Sequence, residues 1–289
     1  MNTIKTIVCT ILLAVSITST AQITKPSLSP KVVTQQQVGL ANFTLEYGQP
    51  NKQGRTIFGG LIPYNKLWRT GANASTKITV DTDVTFAGNA VPAGTYGLYS
   101  IPSQKEWTII LSKNSKRWGA GGYDASEDLV RFKVPSIPLE NTLETFTIHF
   151  ENFNTNGGDL IIAWENTKIK IPVFVDSDKA IFSEIETKIT NATGEVTAAT
   201  YFDAAQFYYL KGKDLDKAVT WFDKAIELRP GAFWYVYYRG ELALQLNDIK
   251  TAKAYATRCL EAAKKSTASD FGYIAKATLL LERIEATGR

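Results

Sequence analysis

"TYGLYSIPSQKEWTIIL", Thr95 to Leu111, decides how the first half of the chain is read. Two short runs, Thr95–Ile101 and Glu106–Leu111, are rich in β-branched and aromatic residues and flank Pro-Ser-Gln-Lys, a turn. The first run itself follows the turn former Pro92-Ala93-Gly94. Two strand-like runs joined by so short a link must lie side by side in opposite directions, so the stretch predicts an antiparallel sheet.

Outward from it the same texture repeats. "FTLEY" (Phe43–Tyr47), "TKITV" (Thr76–Val80) and "DVTF" (Asp83–Phe86) alternate apolar and polar, and "LVRFKV", "ETFTIHF", "DLIIAWE" and "KIKIPVFV" follow. Asn166-Thr167 between the last two has the length of a hairpin link, and Pro172 argues for an edge position or a bulge. About ten short strands with no helical pattern between them predict an antiparallel β-sandwich-like domain over residues 22–176. The fold class expected is α+β by segregated domains.

From residue 177 to 289 the period changes. Ile181, Ile185 and Ile189 recur every four residues after Asp176-Ser177-Asp178, giving a connecting helix. Residues 200–265 then repeat at a spacing of 34: Ala218 falls on Ala252, Phe222 on Ala256, Ala225 on Cys259 and Gln206 on Gly240. Small residues recur where two helices approach closely, and Pro230 ends the first unit because it cannot continue a helix. With Tyr209 these positions resemble a tetratricopeptide array of about two units, followed by a capping helix from Asp270 to Ala286. The resemblance implies a protein-interaction or packing module, with a protein partner for the helical domain.

Residues 1–21 read as a secretory signal peptide: a basic start at Lys5, an apolar run from Ile7 to Ile17, and Ser19-Thr20-Ala21 before the cut at Gln22. The apolar run is too short for a membrane span. An exported protein of the periplasm or cell envelope, or an extracellular one, is therefore expected. Beyond Gln22 the only cysteine is Cys259, so neither an intramolecular disulfide nor a cysteine metal cluster is expected. The formal net charge of +4 is spread over both halves without the basic stripe that nucleic acid demands.

The chemistry-bearing residues narrow the field. His149 is the only histidine and sits on the polar side of "TFTIHFEN", which argues against a His-rich zinc site or a Ser-His triad. Gly119, Gly121 and Gly122 lie among strands, so no glycine-rich phosphate loop opens a helix and no cofactor is expected. Cys259, by its repeat position, is read as a small core residue. Asp81-x-Asp83 and Asp124 to Asp128 are the tightest carboxylate clusters; they are turn formers or, in an alternative reading, the machinery of a polysaccharide-acting hydrolase. Trp118 with Arg117 and Tyr123 in "KNSKRWGAGGYD" offers a flat loop surface on which a sugar could stack.

The densest polar stretch is "RTIFGGLIPYNKLWRTGAN", Arg55 to Asn73. Arg55 and Arg69 each carry a planar fork for a carboxylate, phosphate or carbonyl, Trp68 a stacking face, and Asn73 an amide. Two readings are open. These residues with Trp118 and Tyr123 form a site for a carbohydrate or small anion, or Trp68 plugs the end of the domain while the arginines bond loop carbonyls. The stretch is similar to the hallmark of a bacterial domain family of unknown function found in exported proteins. "VPAGTYGLYSIP", "EWTIILSKN" and "WGAGGYD" continue the resemblance in order, over residues 27–175. It implies a β-domain of uncharacterised activity, often with a tetratricopeptide-like tail, and supplies no catalytic residues.

Overall fold

Alternation of buried and exposed side chains along Phe43–Tyr47 and Thr76–Val80 sets the first ladder, because only one face of each strand can enter the core. The computed structural model describes residues 25–287; the expected signal peptide lies outside them. The chain forms two compact units that divide between Val175 and Asp176.

The strands of the first unit are β1 (Lys31–Val38), β2 (Ala41–Gly48), β3 (Ala72–Val80), β4 (Val84–Phe86), β5 (Asn89–Val91), β6 (Gly94–Ile101), β7 (Glu106–Ser112), β8 (Asp128–Asn154) and β9 (Gly157–Phe174). Among the described residues they form one ladder, in the order β1-β2-β3-β6-β7-β8-β9-β4-β5, with antiparallel neighbours. The Pro102–Lys105 turn joins β6 to β7 as its residues predict, with Ile101 opposite Thr108.

β8 folds the ladder over. Its first part, to Pro135, pairs with β7, and the part from Ser136 onward pairs with β9. The two portions of the sheet face each other across a common core: the ring of Phe43 lies 4.9 Å from Phe150 and that of Tyr47 5.6 Å from Phe146. The Tyr47 hydroxyl, which accepts from the Ile148 N–H at 3.2 Å, ties the halves together. The result is the antiparallel, sandwich-like arrangement that the alternation predicts.

One detail differs from expectation. Asn166-Thr167 is not a hairpin: β9 runs straight through it, and Pro138 pairs with Thr167 while Leu143 pairs with Glu165. The unequal spacing is a bulge, with Glu165 at φ +53°, so the turn formers accommodate extra residues of β8 without reversing the chain. The reversal comes at Asn154–Gly157. Pro172 sits between the ladder to β8, which reaches Ile169, and the ladder to β4, which begins at Val173; its carbonyl accepts the Ala87 N–H at 2.7 Å.

The second unit holds α1 (Ser177–Ile185), a π-helical turn (Glu186–Thr190), α2 (Ala198–Lys211), α3 (Leu215–Leu228), α4 (Phe233–Gln245), α5 (Ile249–Lys264) and α6 (Tyr273–Thr287). The Thr197 hydroxyl caps α2 and the Asp248 carboxylate caps α5, each accepting a first-turn N–H. Every small residue of the 34-residue repeat is buried: Ala218, Ala225, Ala252, Ala256 and Cys259 have no exposed surface. Gly240 lets α4 approach α5, since a Cβ there would stand 3.3 Å from the Tyr255 Cβ. Among the described residues no helix is long and apolar enough to cross a membrane.

Candidate functional site

Two loops meet beside β1–β3: the segment Trp68–Asn73 that leads into β3, and the connection Lys113–Glu127 between β7 and β8. Backbone bonding joins them, because Ser75 donates its N–H (3.3 Å) and its hydroxyl (2.9 Å) to the carbonyl of Arg117. Arg69 braces the first loop and packs over the second. Its Nη1 donates to the Asn73 carbonyl at 2.9 Å and lies so close to Gly119 that a Cβ there would stand 2.8 Å from it. Gly119 is favoured by its backbone angle of φ +75°, and a side chain there would also have to push the arginine aside.

The β7–β8 connection is fixed along its length. Arg117 donates to Glu127 at 2.6 Å, and this bond, followed by one from Asn114, holds the Glu127 carboxyl below the usual carboxylate range. Asp124 accepts the Ser126 N–H, and the Tyr99 hydroxyl reaches the Gly119 carbonyl at 3.5 Å. Tyr123 donates to Asp128 at 2.6 Å and accepts from Arg131 at 2.7 Å. Burial, then the Asp128 carboxylate, pushes its phenol up to about 12.

Held in this way, Trp118 is nevertheless 74% exposed. Its indole lines a pocket of about 220 Å³ together with Lys31, Glu46, Asn73 and Ser75. Glu46 lies between Lys31 (2.8 Å) and Lys77 (2.9 Å), whose hydrogen bonds hold its carboxyl below the usual range despite partial desolvation. Asn73, at φ +64°, donates its amide N–H to the Ser29 carbonyl at 3.1 Å.

Residues 29–173 match the family described as Protein of unknown function (DUF2911). That span is half of the chain. The chain belongs to the DUF2911 family. Residues 198–231, which span α2 and α3 and the three residues after α3, match a Tetratricopeptide repeat. No curated protein matches the chain.

Within the DUF2911 domain the six residues singled out in the sequence are distributed unequally. Asn73 and Trp118 line the pocket, and Arg69 braces it through the Asn73 carbonyl. Tyr123 shares the loop of Trp118 but bonds Asp128 and Arg131. Arg55 donates to the carbonyls of Lys52 (2.9 Å) and Asn51 (2.6 Å). Trp68 is taken up by the core, 8% exposed, among the rings of Phe58, Trp107, Phe146 and Trp164. Sequence reasoning missed Lys31 and Glu46. They stand on the polar side of ordinary alternating strands, and the only signal is the cross-strand pairing of Glu46 with Lys77, which needs the register to be known.

The carboxylate clusters have structural partners. Asp81 accepts the backbone and side-chain N–H groups of Asn42, and Asp83 accepts the Ala93 N–H. Among the described residues lining the Trp118 pocket, Glu46 is the sole carboxylate. His149 stays on the exposed face, 3.7 Å from Glu151.

The helical unit gathers tyrosines on α2, α4 and α6. Tyr209 lies 6.4 Å from Tyr238, and Tyr237 lies 5.4 Å from Tyr273. At their centre the buried Glu241 accepts from the Tyr237 hydroxyl (2.6 Å) and from Arg283 Nη1 (2.8 and 3.0 Å). Burial, then this carboxylate, pushes the Tyr237 phenol up.

Proposed function

We propose that the chain is an exported binding or scaffolding protein of the periplasm or cell envelope, in which the helical unit docks a protein partner and the DUF2911 domain holds a ligand beside Trp118. The observation that carries the reading is the tetratricopeptide match over α2 and α3, with the partly buried tyrosines of α2, α4 and α6 beside it. A tyrosine presents a large, rigid, amphipathic contact area at low entropic cost, which suits a binding face. The signal-peptide pattern of residues 1–21 supports export. A polysaccharide-acting hydrolase is the weaker reading, because general acid–base work on a glycosidic bond calls for two facing carboxylates and the Trp118 pocket is lined by Glu46 alone.

Two measurements test it. Cell fractionation should recover the chain outside the cytoplasm and shortened to Gln22; an unprocessed cytoplasmic chain sinks export. A photo-crosslinking amino acid at Tyr209 or Tyr273 should trap a defined protein, whereas one at the exposed Lys253 on α5 should not. Equal trapping at all three positions defeats the docking assignment.

A further inference from the structure

We infer that the pocket beside Trp118 is a carbohydrate subsite that takes one neutral pyranose ring of an oligosaccharide; the inference rests on the ligand-binding part of the reading above. Its starting point is an indole left in water by a chain that hides its others. Trp68, Trp107, Trp164 and Trp221 are each under 9% exposed and Trp234 is partly buried, while Trp118 is 74% exposed. The exposure is not that of a loose loop tip. The residues on either side are tied by Ser75, Glu127 and Tyr99, so the loop that carries the indole is ordered before any ligand arrives, which lowers the entropy cost of binding there.

The chemistry of the pocket selects the ligand class. A pyranose has an apolar face of C–H groups and a rim of hydroxyls that both donate and accept. The pocket offers the matching parts: a mainly apolar wall that includes Trp118, with the ionised Glu46 and the Asn73 amide among its lining residues as acceptors. Its volume of about 220 Å³ is below the roughly 300 Å³ at which drug-sized ligands begin to be enclosed, so one ring is held and the rest of a chain remains outside.

Competing classes fit less well. A phosphate or sulfate would meet the Glu46 carboxylate, and the one ammonium lining the pocket is already shared with that carboxylate at 2.8 Å. A flat aromatic ligand without hydroxyls would strip water from Glu46 and Asn73 and put nothing in its place. A sugar hydroxyl donates to both.

The test uses the full exported chain. Tryptophan emission and titration calorimetry are followed while cellohexaose, maltohexaose and chitohexaose are added, with inorganic phosphate as the control. A saturable change in emission with at least one oligosaccharide, at a Kd in the micromolar to millimolar range typical of a single stacked ring with few hydrogen bonds, is expected. Trp118→Ala should remove both the emission change and the heat at unchanged Tm, and Glu46→Gln should weaken binding by about tenfold or more by removing a charged acceptor. No saturable response to any of the three sugars, a response to phosphate alone, or binding that survives Trp118→Ala overturns the subsite. Crosslinking at Tyr209 and Tyr273 reads the docking function separately, so loss of the sugar subsite with crosslinks intact leaves that function standing.

Discussion

The indole Nε1 of Trp68 donates to the carbonyl of Gly71 at 3.0 Å, three residues along the same loop, while the backbone of Trp68 bonds Ser100 in both directions. One residue thereby fixes the path of the loop, anchors it to β6 and fills the core between Phe58 and Phe146. Trp68→Ala should cost about 3–5 kcal/mol, the range for emptying a buried large aromatic site. Trp68→Phe, which keeps most of the packing and loses the N–H donor, should cost about 1–2 kcal/mol. Urea midpoints measure both; a loss below about 1 kcal/mol for Trp68→Ala would contradict the plug.

Much of this was legible in the sequence, and the limits have physical causes. The strand alternation, the turn at Pro102–Lys105 and the small residues of the helical repeat each reflect a local rule, and each is found in place. The bulge at Glu165–Thr167 was not legible, because Asn and Thr suit a hairpin and a bulge equally and only the pairing with β8 decides between them. The division of Arg55–Asn73 into core plug, loop ties and pocket wall was equally hidden. Whether an arginine meets a carbonyl or a ligand depends on which loop is folded against it. Lys31 and Glu46 joined the pocket through sheet register alone.

Arg69 makes the next prediction. Its Nη1–Asn73 bond braces the Trp68–Asn73 loop and its guanidinium covers Gly119 of the other loop, and among the described residues it has no carboxylate partner. Arg69→Ala should lower stability by about 1 kcal/mol, the value of one net hydrogen bond, and should raise the quenching of Trp118 emission by acrylamide as its loop loosens. Unchanged quenching would show that the β7–β8 connection is held without the arginine.

The Glu241–Arg283 pair is asymmetric: the Glu241 side chain is 9% exposed and that of Arg283 is 50% exposed. Removing the arginine strands a buried carboxylate, whereas removing the charge on both does not. Arg283→Ala should therefore cost about 1–3 kcal/mol, and adding Glu241→Gln should recover part of it. Equal losses in the single and double variants, read from urea unfolding, would mean that the pair is uncoupled.

Cys259 supplies a pH dependence. Burial pushes its thiol up to about 11, against about 8.5 for an unfolded cysteine. Below both values the folded and unfolded chains hold the proton equally and nothing changes. Between them the unfolded chain releases its proton while the folded chain keeps it, so the unfolded state binds fewer protons and stability falls as pH rises. One proton bounds the slope at about 1.4 kcal/mol per pH unit. Tyr273, pushed up to about 12, adds a similar loss at higher pH, so the comparison that isolates the thiol is with Cys259→Ala. From about pH 8 to about pH 10 the unaltered chain should lose about 1–2 kcal/mol more than the variant, measured by urea unfolding. In the same window a thiol reagent should react only as fast as the helical unit opens. Parallel losses in the two chains, or rapid labelling of the folded protein, would place the thiol outside the core.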